Sequence, residues 1–309
     1  MDGIIVVNKE KDYTSFDVVA KLRGILHVKK IGHTGTLDPM ATGVLPVCLG
    51  AGTKLCDALT DTRKIYRTVL LLGEDYDTED ITGTLLAKSD VRVSEEELKD
   101  CISSFVGRIE QVPPMYSAVK IGGKKLYELA RKGQEVARTP RSITIRALDC
   151  LGRDPETGDV LLRVCCSKGT YIRTLCREIG EKLGCHGCMA ELTRVYTGGF
   201  DLDEAKTIDE IRTAFDNGTM EELIYGVDDF YKDLPQYVLQ EKAERYADNG
   251  NRLFAGDLKR PDKAFSERIR VYRKDGFFYG VYSYDGKNGY YRPEQMYFCK
   301  GTCFKECRP

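Results

Sequence analysis

Charge falls along this chain in three unequal blocks, and that division constrains the fold more than any single motif does. Residues 1–200 carry 29 basic and 27 acidic side chains, residues 201–231 carry 2 and 10, and residues 232–309 carry 16 and 11. A near-neutral first part is followed by an acidic bridge and then by a basic tail rich in Tyr and Gly, with a boundary expected at Leu234-Pro235. The 309 residues suit two bodies of ordinary domain size. A content of 31% charged and 42% apolar residues argues against disorder. The net charge of −1 provides no whole-molecule attraction for a polyanion, so any nucleic-acid contact must come from local charge.

Hydrophobic patterning assigns elements to these blocks. Gly3 to Val7 reads as a buried strand, and Ser15 to Val28 as an amphipathic helix with Val18, Val19, Leu22, Ile25 and Leu26 on one stripe. Ile65 to Leu72, Ser142 to Leu148 and Val160 to Cys165 read as strands. Ser94 with Glu97 forms a capping box that opens a helix to about Phe105. Tyr171 to Leu183 is helical by the spacing of Ile172, Leu175, Cys176, Ile179 and Leu183. In the tail, Phe277-Phe278-Tyr279 and Tyr290-Tyr291 alternate with Asp275-Gly276 and Asp285-Gly286, which are hairpin signals and predict a small β-barrel.

The aliphatic runs Ile4 to Val7 and Val69 to Leu72 fall far short of the ~20 residues that span a bilayer. No basic stretch precedes an apolar core at the amino terminus, so a soluble cytoplasmic protein is expected. Twelve cysteines in such a setting read as free thiols. Cys185 and Cys188 supply only one zinc knuckle, and Cys299, Cys303 and Cys307, four apart, suit one face of a helix at least as well as a metal.

Three places can carry chemistry. Between Val18 and Cys56 stands a single acid, Asp38, in a chain where acids average about one in six. Its segment, Lys30 to Pro46, holds Gly32, Gly35 and Gly43, and Pro39 biases Asp38 away from helix. Asp38 either closes a turn with its own backbone, as Asp before Pro often does, or is a carboxylate held beside Lys29, Lys30 and His33 as a nucleophile or base. Neither the phosphate-loop nor the dinucleotide glycine pattern is satisfied. Arg173 lies in the first turn of the helix at Tyr171, where the dipole disfavours a cation, so an anionic partner is expected. Ser117 to Arg146 holds Lys120, Lys124, Lys125, Arg131, Lys132, Arg138, Arg141 and Arg146 against Glu128 and Glu135. With Gly122-Gly123 and Gly133 loosening it and Tyr116 and Tyr127 nearby, it reads as a mobile basic arm for a nucleic-acid backbone.

The segment Gly32 to Pro46 resembles the signature of the TruB-type tRNA pseudouridine-55 synthases. Lys64-Ile-Tyr-Arg67, Gln111 to Lys120, Gly123 to Tyr127, Ser167 to Leu175 and Leu192-Thr-Arg194 resemble further stretches of that family in order. The resemblance implies an α+β (mixed α/β) pseudouridine synthase fold with a central, mostly antiparallel mixed sheet over residues 1–232. A PUA-like RNA-binding barrel over 233–309 would follow. It implies isomerisation of uridine in the T-loop of tRNA by base flipping, without metal or organic cofactor, by a monomer that needs no obligatory protein partner and no membrane. A related enzyme acting on another RNA, or a tRNA-binding or RNA-folding protein without turnover, is the alternative.

Carried over by motif, Asp38 would be the nucleophile, Arg173 its partner, and Tyr66 the ring stacked on the flipped uracil and a proton acceptor. His33 would help fill the space left by flipping, Tyr171 would lie beside the ion pair, and Leu192 would close the base pocket. Lys9, Lys120, Lys124, Lys125, Arg131, Lys132 and Arg141 would contact RNA. Where the family usually has Lys-Pro-x-Gly, this chain has Lys9-Glu10-Lys11-Asp12, and Cys188 falls close to where family members often carry a histidine.

Overall fold

The computed structural model describes residues 1–259 and 266–303. Its first body is built on a nine-stranded sheet, seven strands of which form one path. In chain order these are β1 (Gly3–Lys9), β2 (Thr42–Leu49), β3 (Lys64–Leu72), β4 (Gly107–Gln111), β5 (Arg141–Arg153), β6 (Val160–Cys166) and β7 (Gly187–Thr197). Their spatial order is β1-β2-β7-β3-β6-β5-β4. Every neighbouring pair on this path is antiparallel except β2 with β7, where Thr193 lies opposite Thr42 and Arg194 opposite Gly43. This is the mostly antiparallel mixed sheet expected. Gly43 is required at the parallel contact: its φ is +102°, and a Cβ there would stand 2.2 Å from the Arg194 carbonyl oxygen.

The unbroken apolar run of β1 has a structural cause. Ile5 and Val7 face one core with helix α1 (Ser15–Leu26) and the acidic-segment helix Ile208–Asp216, whereas Ile4 and Val6 face a second core shared with the tail. A strand covered on both faces has no polar side to alternate with. Its free edge is capped too, since Ile4 exchanges main-chain hydrogen bonds with Tyr225, and Val7 bridges Lys206. The acidic stretch 201–231 therefore folds along the first sheet instead of spanning two bodies, burying Ile208, Ile211 and Met220 and leaving most of its carboxylates outward. Helix α1 stops at Leu26, two residues earlier than the periodicity suggests, because His27 turns left-handed there.

The tail forms a six-stranded sheet in the order Leu253–Phe254, Tyr290–Lys300, Phe277–Asp285, Arg268–Tyr272, Gln236–Leu239, Leu258–Lys259. The first and last strands of that order are joined by only three residues, Ala255–Asp257, so the sheet curls into a nearly closed barrel. It has its own core, including Tyr237, Val271, Tyr279 and Tyr291. Tyr272, Phe278, Val281 and Tyr297 pack instead on Ile4, Val6, Val44 and Cys48 of the first body. Cys299 lies in a strand and Cys303 just beyond it, so the expected helical face does not form, and Cys307 lies outside the described residues. Cys185 and Cys188 are buried and unpaired, and no group of three or more potential metal ligands gathers among the described residues. No described helix is long and apolar enough to cross a membrane.

The basic segment is an excursion from the sheet edge. It leaves after Gln111 and returns at Arg141, which lie opposite each other in the β4–β5 register. Arg141 to Arg146 thus belong to a strand and not to the arm, which spans 112–140. Gly122 and Gly123, both left-handed, form the turn between Lys120–Ile121 and Lys124–Lys125, so here the glycines shape a hairpin. A short helix, Leu126–Ala130, follows and buries Leu126 and Leu129.

Candidate active site

Asp38 sits in a loop pinned from several sides. The hydroxyl of Ser15, in the first turn of α1, accepts from the Leu37 N–H at 2.9 Å. The Pro39 carbonyl accepts from the Asp12 N–H at 2.8 Å and from Lys9 Nζ at 3.1 Å. Arg194, fully buried on β7, donates to the carbonyls of Val44 (2.8 Å) and Gly35 (3.2 Å). Asp12 occupies the position where the family usually has Gly, and it takes the left-handed conformation, φ +69°, that such a residue supplies. Asp38 also closes a turn, its carbonyl accepting from Ala41 N–H at 3.0 Å, so the turn is made by its backbone and the side chain is left for other partners.

The side chain meets Arg173. Arg173 Nη2 lies 3.3 Å from both carboxylate oxygens of Asp38 and donates to the Tyr116 carbonyl at 2.7 Å, while Nη1 stands 3.8 Å from Asp80. A cation in the first turn of α3 (Ile172–Lys182) is accounted for by two carboxylates. Arg173 and Asp80 are 6% and 5% exposed at their side chains, but Asp38 is 35% exposed and opens into a cleft. Burial raises the Asp38 pKa; Arg173 and Lys9 oppose the rise and Asp80 adds to it. The arginine favours the ionised form as expected, yet the net direction is upward. Gln111 fixes the start of α3, accepting from the Tyr171 N–H at 2.8 Å and donating to its carbonyl at 3.1 Å.

The cleft, of about 1120 Å³, is lined by His33, Asp38, Tyr66, Tyr171, Arg173 and Leu192 at its floor and by Lys125, Tyr127 and Arg131 from the arm. Tyr66 lies opposite Arg194 in the β3–β7 register, and burial pushes its phenol up to about 12 while Arg194 opposes the rise. The Tyr171 ring lies beside the Arg173 guanidinium, 6.0 Å from ring centre to Cζ. Burial and Arg194 lower the His33 pKa, which favours the neutral ring. Four buried polar atoms of lining residues lack a hydrogen-bond partner among the described residues, namely His33 Nδ1, Ser117 Oγ, Arg173 Nε and Arg194 Nη1. Buried polar groups are normally paired, so these atoms have hydrogen-bonding capacity left for water or for a bound molecule.

One sequence expectation needs correction. Lys9 does not face an RNA surface: it is fully buried, and its ammonium is spent on the carbonyls of Glu10, Tyr13 and Pro39, with burial lowering its pKa to about 8. Of the arm cations, Lys125 and Arg131 line the cleft, whereas Lys120, Lys124, Lys132 and Arg141 are exposed elsewhere. Asp80 and the role of Arg194 escaped the sequence reading. Asp80 lies in an acid-rich run, and only the fold turns that carboxylate inward, where it accepts from the hydroxyl of Thr78 (3.0 Å) and the N–H of Thr82 (3.0 Å).

Residues 23–172 match the model of the TruB family pseudouridylate synthase N-terminal domain, and residues 173–230 that of the tRNA pseudouridylate synthase B C-terminal domain. A protein named tRNA pseudouridine synthase B from Lachnoclostridium phytofermentans is 47% identical over 306 residues, covering 96% of this chain and 100% of its own. One of the same name from Clostridium perfringens (strain 13 / Type A) is 41% identical over 288 residues, covering 93% and 96%. Among solved structures, an H/ACA RNP bound to a substrate RNA containing 2′-deoxyuridine aligns with a TM-score of 0.66 at 22% identity, over 99% of this chain and 88% of the other, a likeness of fold. With close to half its residues shared with a relative of the same span, and two family models meeting at the start of the helix that carries Arg173, the chain belongs to the TruB family of pseudouridylate synthases.

Proposed function

We propose that this protein isomerises uridine to pseudouridine in the T-loop of tRNA, at position 55, with Asp38 as the nucleophile. The observation that carries this reading is the Asp38–Arg173 pair, set in a pinned loop at the floor of a cleft deep enough for an extruded base. The N1–C1′ bond breaks and a C5–C1′ bond forms. The hydrogen on C5 leaves to a base while N1 takes one up, so the exchange is balanced without oxidant or cofactor.

Arg173 holds the carboxylate in place and favours its charge. Tyr66 stacks on the uracil, and its hydroxyl accepts a proton in the later steps. Leu192 closes the base pocket, Tyr171 flanks the ion pair, and the neutral ring of His33 enters the gap left by flipping. The arm, with Lys125 and Arg131 turned into the cleft, grips the RNA backbone. In this division residues 1–232 carry the chemistry and 233–309 form a PUA-like RNA-binding barrel. The protein acts as a monomer without an obligatory protein partner.

The test is tritium release from a tRNA transcript labelled at uracil C5. Release by the wild type and none by Asp38→Asn, at similar tRNA binding, is the expected result. Binding without release by the wild type overturns the proposal in favour of an RNA-binding protein without turnover.

A further inference from the structure

The cleft is electrically one-sided. Its cationic walls are the arm, with Lys125 and Arg131 flanking the Tyr127 ring at 5.3 and 5.4 Å, and the segment before α3, with Lys168. Asp12, Thr14, Ser15 and Phe16 form another stretch of the rim, and none of these lining residues is a cation. Asp12 adds a negative charge there, and Lys9 behind it is buried on carbonyls. A polyanion crossing the cleft has its phosphates drawn to the arm and kept from this rim.

On that rim Phe16 is 67% exposed, the most exposed of the large apolar side chains among the described residues. It lies in the first turn of α1, off the stripe of Val18, Val19, Leu22, Ile25 and Leu26 that builds the core, so packing does not call for a ring here. The turn is held without it: Thr14 and Asp17 cap the helix, the Asp17 carboxylate accepting from Thr14 N–H at 2.8 Å and from its hydroxyl at 2.6 Å. An exposed aromatic ring beside an acid, in a cleft whose cations sit on the arm and before α3, suits a nucleobase whose phosphate lies on those cations.

We infer that Phe16 is a substrate-positioning residue that stacks on a base of the RNA next to the extruded uridine. The inference rests on the function proposed above. Loss of one base stack weakens RNA binding by about ten-fold and leaves the reacting groups untouched, so the effect falls on KM and not on kcat.

The test compares the full-length wild type with Phe16→Ala, Phe16→Leu and Phe16→Trp, using tritium release for KM and kcat and filter binding of the same tRNA for Kd. Expected are a rise of about ten-fold in KM and Kd for Phe16→Ala with kcat within two-fold, little recovery in Phe16→Leu, and recovery in Phe16→Trp. Unchanged KM and Kd in Phe16→Ala overturn the inference. Full recovery by Phe16→Leu also overturns it, since apolar cover would then suffice. If the wild type releases no tritium, the proposed function fails by itself, and the Kd series still decides whether the ring stacks on RNA.

Discussion

The floor of the cleft and the arm above it both carry concentrated charge, and they use it in opposite ways. At the floor, Arg173, Arg194, Lys9 and Asp80 are nearly or fully buried, and each is committed to named protein atoms. On the arm, Lys120, Lys124, Arg131 and Lys132 are exposed, and Arg138 meets Glu135, at 3.5 Å, and the Pro113 carbonyl. Desolvation makes the buried charges expensive unless paired, so their positions are fixed and their pKa values move. Exposed cations remain hydrated and screened, each contributing little to the fold and remaining free for phosphate. Position at the floor and attraction on the arm are thus separable by substitution.

The largest effect is expected from Arg173→Ala, which leaves Asp38 and Asp80 facing each other without a cation. Single-turnover tritium release should fall by roughly 10³-fold or more. Urea unfolding should show a loss of about 3 kcal/mol, at the low end for a buried pair because Asp38 opens to solvent. An Arg173→Ala protein with near-normal turnover would erase the distinction between floor and arm.

Lys9→Gln comes next. It loosens the Pro39 carbonyl and hence the Asp38 loop, so kcat should fall by about ten-fold or more while tRNA affinity in filter binding stays the same. A change confined to affinity would return Lys9 to the RNA-contacting set.

The double variant Lys125→Ala/Arg131→Ala should do the reverse. KM is expected to rise by about ten-fold at fixed salt with kcat preserved, and the slope of log Kd against log salt should drop by about 2. Lys124→Ala, outside the cleft, should cost only about two-fold.

The subtlest effect concerns pH. Asp38 must be ionised to attack, and its pKa is raised, so kcat/KM should increase with pH through a limb lying above the ordinary aspartate value of about 3.9. Asp80 contributes to that rise, and Asp80→Asn should move the limb toward acid, read from the pH profile of single-turnover release. A limb that stays put or moves toward base would remove Asp80 from the electrostatics of the site.

Local signals were legible where a single residue type carries the physics. The capping box at Ser94, the periodicity of α3 and the Asp-Gly turns of the tail all appear where short-range rules place them. The isolation of Asp38 among cations singled out the floor of the cleft, and the awkward placement of Arg173 in a first turn announced a carboxylate partner without saying which. Asp80 was hidden because a run of acids reads alike whether one of them turns inward or not. Lys9 was misplaced because a lysine in a polar turn carries no mark of burial.

What the sequence determined by itself is the set of elements, the segment that holds Asp38 and the excess of cations on the arm, because propensity, periodicity and charge act over a few residues. What the tertiary structure alone decided is which of those charges lose water. The antiparallel pairing of β3 with β7 brings Arg194 opposite Tyr66, the parallel contact of β2 with β7 sets it opposite Gly43, and α3 sets Arg173 between two carboxylates from segments 42 residues apart in the chain. Desolvation depends on all the neighbours at once, and most of those neighbours come from distant parts of the chain.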